Sequence, residues 1–196
     1  MFKDRISNEE LKELPISAFE GEIVVVDAPG EVYDRAVEYL GGCTLLGFDT
    51  ETRPSFSPGT HYGTALLQLS SEDRAFLFRL NCIGLPTELK SILRSKNIKK
   101  IGAAVLDDIR GLQRHGMFTP GGFVDLQKEV GRFGICELGV KKMAGIILGV
   151  KISKAQQLSN WESSTLSPAQ QRYAATDAWI CREMYLKLQK NDKDIS

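Results

Sequence analysis

Two apolar segments separated by a short polar turn constrain the fold of this chain most strongly. Residues 64–70 and 74–80 are rich in the leucine and aromatic side chains of buried strands, and Ser71-Glu72-Asp73 between them is typical of a tight turn. Later in the chain, apolar strand segments alternate with segments of helical periodicity, a pattern that places helices on the faces of a sheet. Strands that follow each other directly, combined with strands separated by helices, predict an α/β fold with a mixed sheet flanked by helices.

The remaining elements follow from local signals. A β-branched run at 23–26 predicts an early strand, and Gly41-Gly42 ends a helical pattern that begins after Pro29-Gly30. Ser167 and Pro168 are typical of an N-cap and a first helical position. Besides the two segments above, the predicted strands are 22–27, 44–51, 100–104 and 123–125, and the predicted helices are 31–40, 87–95, 107–115, 137–148 and 168–189.

Length and charge limit the organisation of the chain. A length of 196 residues, 42% of them hydrophobic, favours one domain spanning 1–196. Residues 1–20 are polar and are expected to wrap loosely around this domain, and 190–196 are expected to form a second peripheral segment. The balance of 25 basic and 25 acidic residues provides no broad attraction to nucleic acid or membranes. Any nucleic-acid contact is therefore expected to be local and to use few phosphates.

The spacing of the cysteines and the composition of the N-terminus indicate the cellular compartment of the protein. The four cysteines contain no C-x-x-C pair, so a zinc site is not expected and buried thiols in a reducing compartment are favoured. The N-terminus lacks the apolar core of a signal peptide, and no run of 18 apolar residues occurs. We therefore expect a cytoplasmic protein without membrane contact. The cysteines are Cys43, Cys82, Cys136 and Cys181.

Asp49 and Glu51 form the acidic pair with the clearest chemical meaning. They follow the apolar run 45–48, so the strand carries them towards the interior of a sheet, and residues at i and i+2 point to the same face. Two carboxylates held there repel each other and lose hydration, so they need a cation or a proton. A purely structural role for the pair remains the alternative, because perturbed acids also occur outside functional sites.

A second motif lies far downstream. Tyr173 and Asp177 are four residues apart in a segment of helical character, so their side chains share one face. Asp177 lies among small and apolar residues, which is unusual for a charge that faces solvent. Together with Asp49 and Glu51, these residues suggest an acidic site for divalent cations beside a positioned hydroxyl group, which is typical of hydrolytic chemistry.

In order and spacing, these segments resemble the DEDD superfamily of 3′–5′ exonucleases. The last motif reads Tyr-x-x-x-Asp, which is the pattern of the tyrosine-bearing branch, whereas the other branch has a histidine where this chain has Arg172. The chain is similar to RNase D and to the exonuclease domain of the Werner-syndrome helicase from about residue 22 to 188. Further matching segments are 65–69, 101–104, Lys154 and 159–161.

The resemblance implies a ribonuclease H-like fold and a catalytic arrangement. Two divalent cations, Mg²⁺ or Mn²⁺, are expected about 4 Å apart around the scissile phosphate. By this resemblance Asp49 bridges both ions, Glu51 and Asp177 bind the ion that activates water, and Asp108 holds the ion beside the leaving 3′-oxygen. Tyr173 is expected to orient the attacking water.

Asp107 and Asp108 are adjacent, so a shift of the alignment by one residue would exchange their assignments. From the residues alone, both are compatible with a helix start, where acidic groups complement the helix dipole, and only one of them could enter a shared site. Alignment of 101–108 with the pattern of the superfamily assigns the catalytic carboxylate to Asp108 and directs Asp107 elsewhere.

The implied substrate is a single-stranded or recessed 3′ end of DNA or RNA, and the implied product is a nucleoside 5′-monophosphate. Thr52 directly follows the acidic pair, and the long loop 53–63 offers Arg53 for phosphate contact and Phe56 for base stacking. An ordinary surface loop with an exposed aromatic side chain is an equal alternative. Two further alternatives are a catalytically inactive nucleic-acid-binding or scaffold domain and a hydrolase of short oligonucleotides.

Overall fold

The computed structural model describes residues 2–57 and 59–193, and its centre is a mixed six-stranded sheet. The strand order is β1-β4-β3-β2-β5-β6. β3 pairs antiparallel with β2 and β4, whereas the β1–β4, β2–β5 and β5–β6 pairs are parallel, which confirms the predicted mixed sheet. The strands are Glu22–Val26 (β1), Leu45–Thr52 (β2), Thr64–Ser70 (β3), Arg74–Arg79 (β4), Lys99–Gly102 (β5) and Phe123–Asp125 (β6).

Eight α-helices and one 3-10 turn complete the described part of the chain. The five predicted helices are present, with ends that differ by up to four residues. The helices are Asn8–Glu13 (α1), Glu31–Gly41 (α2), Leu80–Ile83 (α3), Thr87–Arg94 (α4), Val105–Gln113 (α5), Leu126–Glu129 (α6), Val140–Leu148 (α7) and Pro168–Lys193 (α8), and the 3-10 turn is Val130–Phe133.

The two faces of the sheet are covered by different helices, because successive side chains of a strand point to opposite sides. On one face, Phe48, Leu67 and Phe78 pack in a cluster that includes residues of α2, α4 and α5. On the other face, Leu66 and Leu77 pack against residues of α8. The long helix α8 therefore lies on the face opposite to α5.

Residues 1–20 are attached more firmly than their polar composition predicts. Ser7 and Glu10 form a capping box that begins α1, a signal that the sequence contains. Leu11 is 3% exposed and Phe19 is 1% exposed, and the Phe19 N–H donates to Thr176 Oγ1 of α8 at 3.0 Å. The prediction of a loosely wrapped segment is wrong for the described residues 2–20, because a few apolar side chains anchor a polar segment.

Some predicted segments extend beyond the residues that the structure describes. Of the predicted peripheral segment 190–196, residues 190–193 belong to α8 and 194–196 lie outside the described residues. Met1 and Pro58, which belong to the predicted N-terminal segment and to the loop 53–63, also lie outside them. In the parts that are described, no helix combines the length and the apolar character needed to cross a lipid bilayer.

Candidate active site

Three carboxylates from distant parts of the chain converge where β2 passes under α8. Asp49 and Glu51 share one face of β2, and Asp177 projects from α8 towards them, so that one ligand oxygen from each lies within 4.8 Å of the others. Asp177 is 3% exposed, and the other two acids are half-buried. A close approach between strand and helix makes this convergence possible, because a Cβ atom on Gly47 would lie only 2.0 Å from the carbonyl oxygen of Ala178.

The donor set of this three-acid group fits a divalent cation. It consists only of carboxylate oxygens, which are the ligands that hard cations such as Mg²⁺ and Mn²⁺ prefer. The side chains are held by a strand and a helix rather than by mobile loops, so the ligand positions are defined before a cation binds. Asp49, Glu51 and Asp177 are therefore the residues that could hold a metal ion here.

Electrostatics oppose the ionised form of each acid in the absence of a cation. Burial, followed by the nearby charges of Asp177 and Asp108, raises the pKa of Asp49 well above its usual value. Burial and the charge of Asp49 raise the pKa of Glu51 to about 9. Burial also raises the pKa of Asp177, although Lys154 partly opposes this effect. Bound cations would relieve this repulsion.

Lys154 supplies positive charge at the edge of the three-acid group. Its Nζ donates to both carboxylate oxygens of Asp177, at 3.1 and 3.3 Å, and to the Tyr173 hydroxyl at 3.5 Å. Lys154 is one of the residues that match the superfamily pattern, but the resemblance implies no role for it. Its position next to Asp177 depends on the fold of the segment before α8, so no local sequence signal could have revealed this contact.

Tyr173 lies on α8 one turn before Asp177, as the i, i+4 spacing predicts. Tyr173 is 6% exposed, and its ring packs against Trp161 with ring centroids 5.9 Å apart. Burial, followed by the charges of Asp177 and Glu51, raises the pKa of the phenol. The hydroxyl group therefore keeps its proton at neutral pH.

The start of α8 has the predicted cap. The Gln170 N–H donates to Ser167 Oγ at 3.2 Å, and the Ser167 N–H donates to Gln170 Oε1 at 2.9 Å. This reciprocal pair begins the helix at Pro168 and thereby sets the positions of Tyr173 and Asp177 along it.

The two neighbouring aspartates at the start of α5 have different environments. Asp108 is half-buried and accepts a hydrogen bond of 2.5 Å from Thr50 Oγ1, while Asp107 faces solvent and pairs with Arg110 at 3.1 Å. Asp108 does not belong to the three-acid group, although its charge contributes to the raised pKa of Asp49. Burial raises the pKa of Asp108 itself, and the bond from Thr50 opposes that shift.

The predicted substrate residues line two grooves. Thr52 lines a groove that also contains Asp108 and Arg110. Arg53 and Phe56 line a second groove, in which the Arg53 guanidinium lies 4.5 Å from the centre of the Tyr62 ring. Phe56 is 81% exposed. Tyr62 lines both grooves, so the three predicted substrate residues lie along neighbouring surfaces.

A buried arginine supports the loop that precedes α8. Arg79 at the end of β4 is 2% exposed and donates to the carbonyl oxygens of Ser163 and Ser164, the latter at 2.6 Å. This loop connects Lys154 and Trp161 to α8, so Arg79 ties the surroundings of Tyr173 to the sheet. Sequence reasoning missed this residue because a single arginine at a strand end has no distinctive pattern.

Comparisons with known proteins identify the family of this chain. A family model described as a 3′–5′ exonuclease matches residues 30–192. The mouse bifunctional 3′–5′ exonuclease/ATP-dependent helicase WRN is 31% identical over 150 residues, which cover 74% of this chain and 11% of that protein. The chain matches a quarter or less of the length of the first three curated relatives.

Solved structures share the fold. The EXO domain of Nibbler from Aedes aegypti superimposes with a TM-score of 0.81 at 22% identity, covering 92% of this chain and 94% of that one. NrnC of Brucella melitensis bound to pGG gives a TM-score of 0.69 at 23% identity, covering 90% and 84%. The ribonuclease H-like fold class expected from the sequence is confirmed. Since the matching family model extends over most of the chain, from α2 into α8, the protein belongs to the 3′–5′ exonuclease family of the DEDD superfamily.

Proposed function

We propose that this chain is an active, cation-dependent 3′–5′ exonuclease that releases nucleoside 5′-monophosphates from the 3′ ends of DNA or RNA. One observation carries the proposal: Asp49, Glu51 and Asp177 place ligand oxygens within 4.8 Å of one another in a partly buried site. Such a cluster requires protons or cations, because carboxylates at this spacing repel one another and have lost part of their hydration.

Each acid has a part in the proposed coordination. Asp49 would be a ligand of two divalent ions, Mg²⁺ or Mn²⁺, and Glu51 and Asp177 would be ligands of one of them. Asp108, which accepts a hydrogen bond from Thr50 in this structure, would serve the other ion. Bound cations would supply activation of a water molecule and neutralisation of charge on the scissile phosphate. The positions of the acids on regular elements, β2, α5 and α8, support this assignment.

Tyr173 is proposed to orient the attacking water rather than to remove its proton. The buried phenol keeps its proton at neutral pH, so its hydroxyl can donate a hydrogen bond but is a poor base. Packing against Trp161 and the contact with Lys154 restrict the movement of the hydroxyl group. A fixed hydrogen-bond donor next to the ligands that activate water would hold the attacking water in a reactive orientation.

The two grooves suggest how the 3′ end of a strand could be held. Thr52 would contact the terminal sugar, Arg53 a phosphate, and Phe56 a base. The exposed Phe56 ring is available for stacking, and the Arg53 side chain is 39% exposed although its guanidinium pairs with Glu162 at 3.4 Å and lies over the Tyr62 ring. These three contacts are part of the proposal, as is the preference for a single-stranded or recessed end.

Two other functions are weighed against this one. An inactive binding or scaffold domain is disfavoured, since all four acids and the tyrosine are present. Hydrolysis of short oligonucleotides is the second candidate, because the net charge of zero offers few phosphate contacts for a long strand. The related NrnC structure contains the dinucleotide pGG, which adds to this candidate.

We further propose that residues 1–196 act as one domain in the cytoplasm. Packing of Phe19 against the sheet and α8 supports a single folding unit. The four cysteines form no disulfide, and reducing compartments keep thiols in that state.

A gel of end-labelled strands tests the proposed function. Single-stranded and recessed 20-mers of DNA and RNA, together with a labelled dinucleotide, would be incubated with Mn²⁺, with Mg²⁺ and with a chelator. The proposal expects stepwise shortening from the 3′ end that requires a cation, and no digestion by the Asp49→Ala variant. Intact strands under all conditions would favour a binding domain, while cleavage of the dinucleotide alone would favour the second candidate.

A further inference from the structure

The amide of Gln68 is an anomaly in the interior of the sheet. The side chain on β3 is 0% exposed, yet neither Oε1 nor Nε2 has a hydrogen-bond partner among the residues that the structure describes. A buried amide without partners is costly, and most buried polar groups in proteins are paired. We therefore expect the amide to gain a hydrogen-bond partner when a ligand is bound nearby.

The register of the sheet places Gln68 next to the three-acid group. Gln68 lies directly opposite Asp49 in the antiparallel β2–β3 pair, so both side chains point to the face that α8 covers. Directly opposite residues have Cβ atoms about 5 Å apart, which is within reach of a glutamine amide and a carboxylate. On the other side, the residue opposite Gln68 is Leu77, which offers no polar atom in its side chain.

Asp49 has a free acceptor for this amide. Its Oδ1 accepts the Thr50 N–H at 2.9 Å, and the second carboxylate oxygen accepts no hydrogen bond from the described parts of the chain. Carboxylates that bind metal ions are commonly held by a further hydrogen bond that fixes their orientation. Gln68 is the buried, unpartnered donor directly across the strand from Asp49.

We propose that Gln68 is a positioning residue, whose Nε2 donates to the Asp49 carboxylate when divalent cations occupy the site. This inference rests on the proposed function, because it assigns to Asp49 the contact with both ions. The hydrogen bond would hold the Asp49 carboxylate in the orientation in which its oxygens serve the cations. Gln68 touches neither the substrate nor the cations.

The Gln68→Met variant removes the amide at nearly constant size. We expect Mn²⁺ to bind roughly 10- to 100-fold more weakly to the metal-free variant in calorimetry. Thermal stability without cations should stay equal or rise, since an unpaired buried amide is replaced by an apolar group. A merely structural role would not weaken cation binding while leaving stability intact.

The Leu67→Met variant is the matched control. Leu67 is the preceding residue on β3, is also 0% exposed and points to the opposite face, so its replacement disturbs the same strand without approaching Asp49. This variant should bind Mn²⁺ like the parent protein. Gln68→Leu provides a second apolar variant should methionine pack poorly.

The possible results separate this inference from the proposed function. Parent-like Mn²⁺ affinity in a folded Gln68→Met or Gln68→Leu protein would overturn the positioning role. A buried water would then be the hydrogen-bond partner of the amide. Failure of both variants to fold would show a structural role and would also overturn it. If the parent protein bound no divalent cation at all, the proposed function itself would fail.

Discussion

The Lys154 ammonium lies 3.1 Å from Asp177 Oδ2 and is the only basic group that pairs with the three-acid group in residues 2–57 and 59–193. Its side chain is 30% exposed, whereas that of Asp177 is 4% exposed. One ammonium therefore partly balances three carboxylates before any cation binds. A fixed positive charge at this position also competes with cations for Asp177.

Removal of this charge should strengthen cation binding. In Lys154→Met we expect roughly tenfold tighter Mn²⁺ binding, which corresponds to about 1.4 kcal/mol, and a lower melting temperature without cations because a buried carboxylate loses its partner. Calorimetry and thermal unfolding with and without Mn²⁺ measure both effects. Lys151→Met is the control, since its ammonium donates to the carbonyl of Lys12 at the surface, away from the three-acid group. Weaker binding in Lys154→Met would mean that the lysine helps to assemble the ligands.

Loss of the Tyr173 hydroxyl should slow catalysis without affecting the cations. Tyr173→Phe keeps the ring that packs on Trp161, so we expect kcat to fall roughly 100-fold while Mn²⁺ affinity stays within twofold of the parent. Tyr185→Phe on the same helix, which removes a hydroxyl bonded to Lys99, should retain parental kcat. A collapse of Mn²⁺ affinity in Tyr173→Phe would show that the tyrosine is misassigned.

The two aspartates at the start of α5 can be separated by substitution. Asp108→Asn should reduce kcat at least 100-fold, because this half-buried carboxylate is proposed to hold the second cation and its charge already acts on Asp49. Asp107→Asn should leave kcat nearly unchanged, since its carboxylate is exposed and pairs with Arg110. Single-turnover digestion of a labelled strand measures both. The reverse order of effects would move the catalytic assignment to Asp107.

A methyl group on Gly47 should separate the strand from the helix. The added Cβ would overlap the Ala178 carbonyl, so Gly47→Ala should lose about 2 kcal/mol or more of unfolding free energy. Mn²⁺ affinity should also fall, because Asp49 and Asp177 move apart. Gly41→Ala at the end of α2 meets no atom within 4 Å and should be neutral or slightly stabilising. Denaturant titration and calorimetry compare the two; parental Mn²⁺ affinity in Gly47→Ala would contradict the role of this close approach.

The metal-free protein should become less stable as pH rises from 5 to 8. The pKa of Glu51 is about 9 in the folded protein and 4.5 in its reference state, so over this range the unfolded chain releases a proton that the folded chain retains. We limit the prediction to pH 8 because burial lowers the pKa of Lys100 to about 8. Above that pH the folded protein loses the Lys100 proton while the unfolded chain retains it, so this titration increases the stability. Melting temperatures in chelator should fall with pH, and Glu51→Gln should flatten the slope. A parental slope in Glu51→Gln would contradict the assignment to this residue.

Much of the fold is encoded in patterns that act over a few residues. Alternation and apolar runs identify all six strands, and the Ser167 cap identifies the start of α8, because these signals depend on backbone geometry and on hydrogen bonds between near neighbours. The pairs Asp49/Glu51 and Tyr173/Asp177 each share a face for the same reason. The short helices α3 and α6 escape such reasoning, since four residues carry too little periodicity.

The sequence alone thus determined the six strands, the five longer helices, the mixed sheet and the residues with chemical potential, together with the family they resemble. Only the tertiary structure decided that Asp49 and Asp177 meet, that Lys154 pairs with Asp177 and that Asp108 bonds to Thr50. It also decided that Phe19 anchors residues that look peripheral. The physical reason is that these contacts join segments far apart in the chain, and their distances depend on how closely strand and helix pack, as at Gly47, rather than on local propensity.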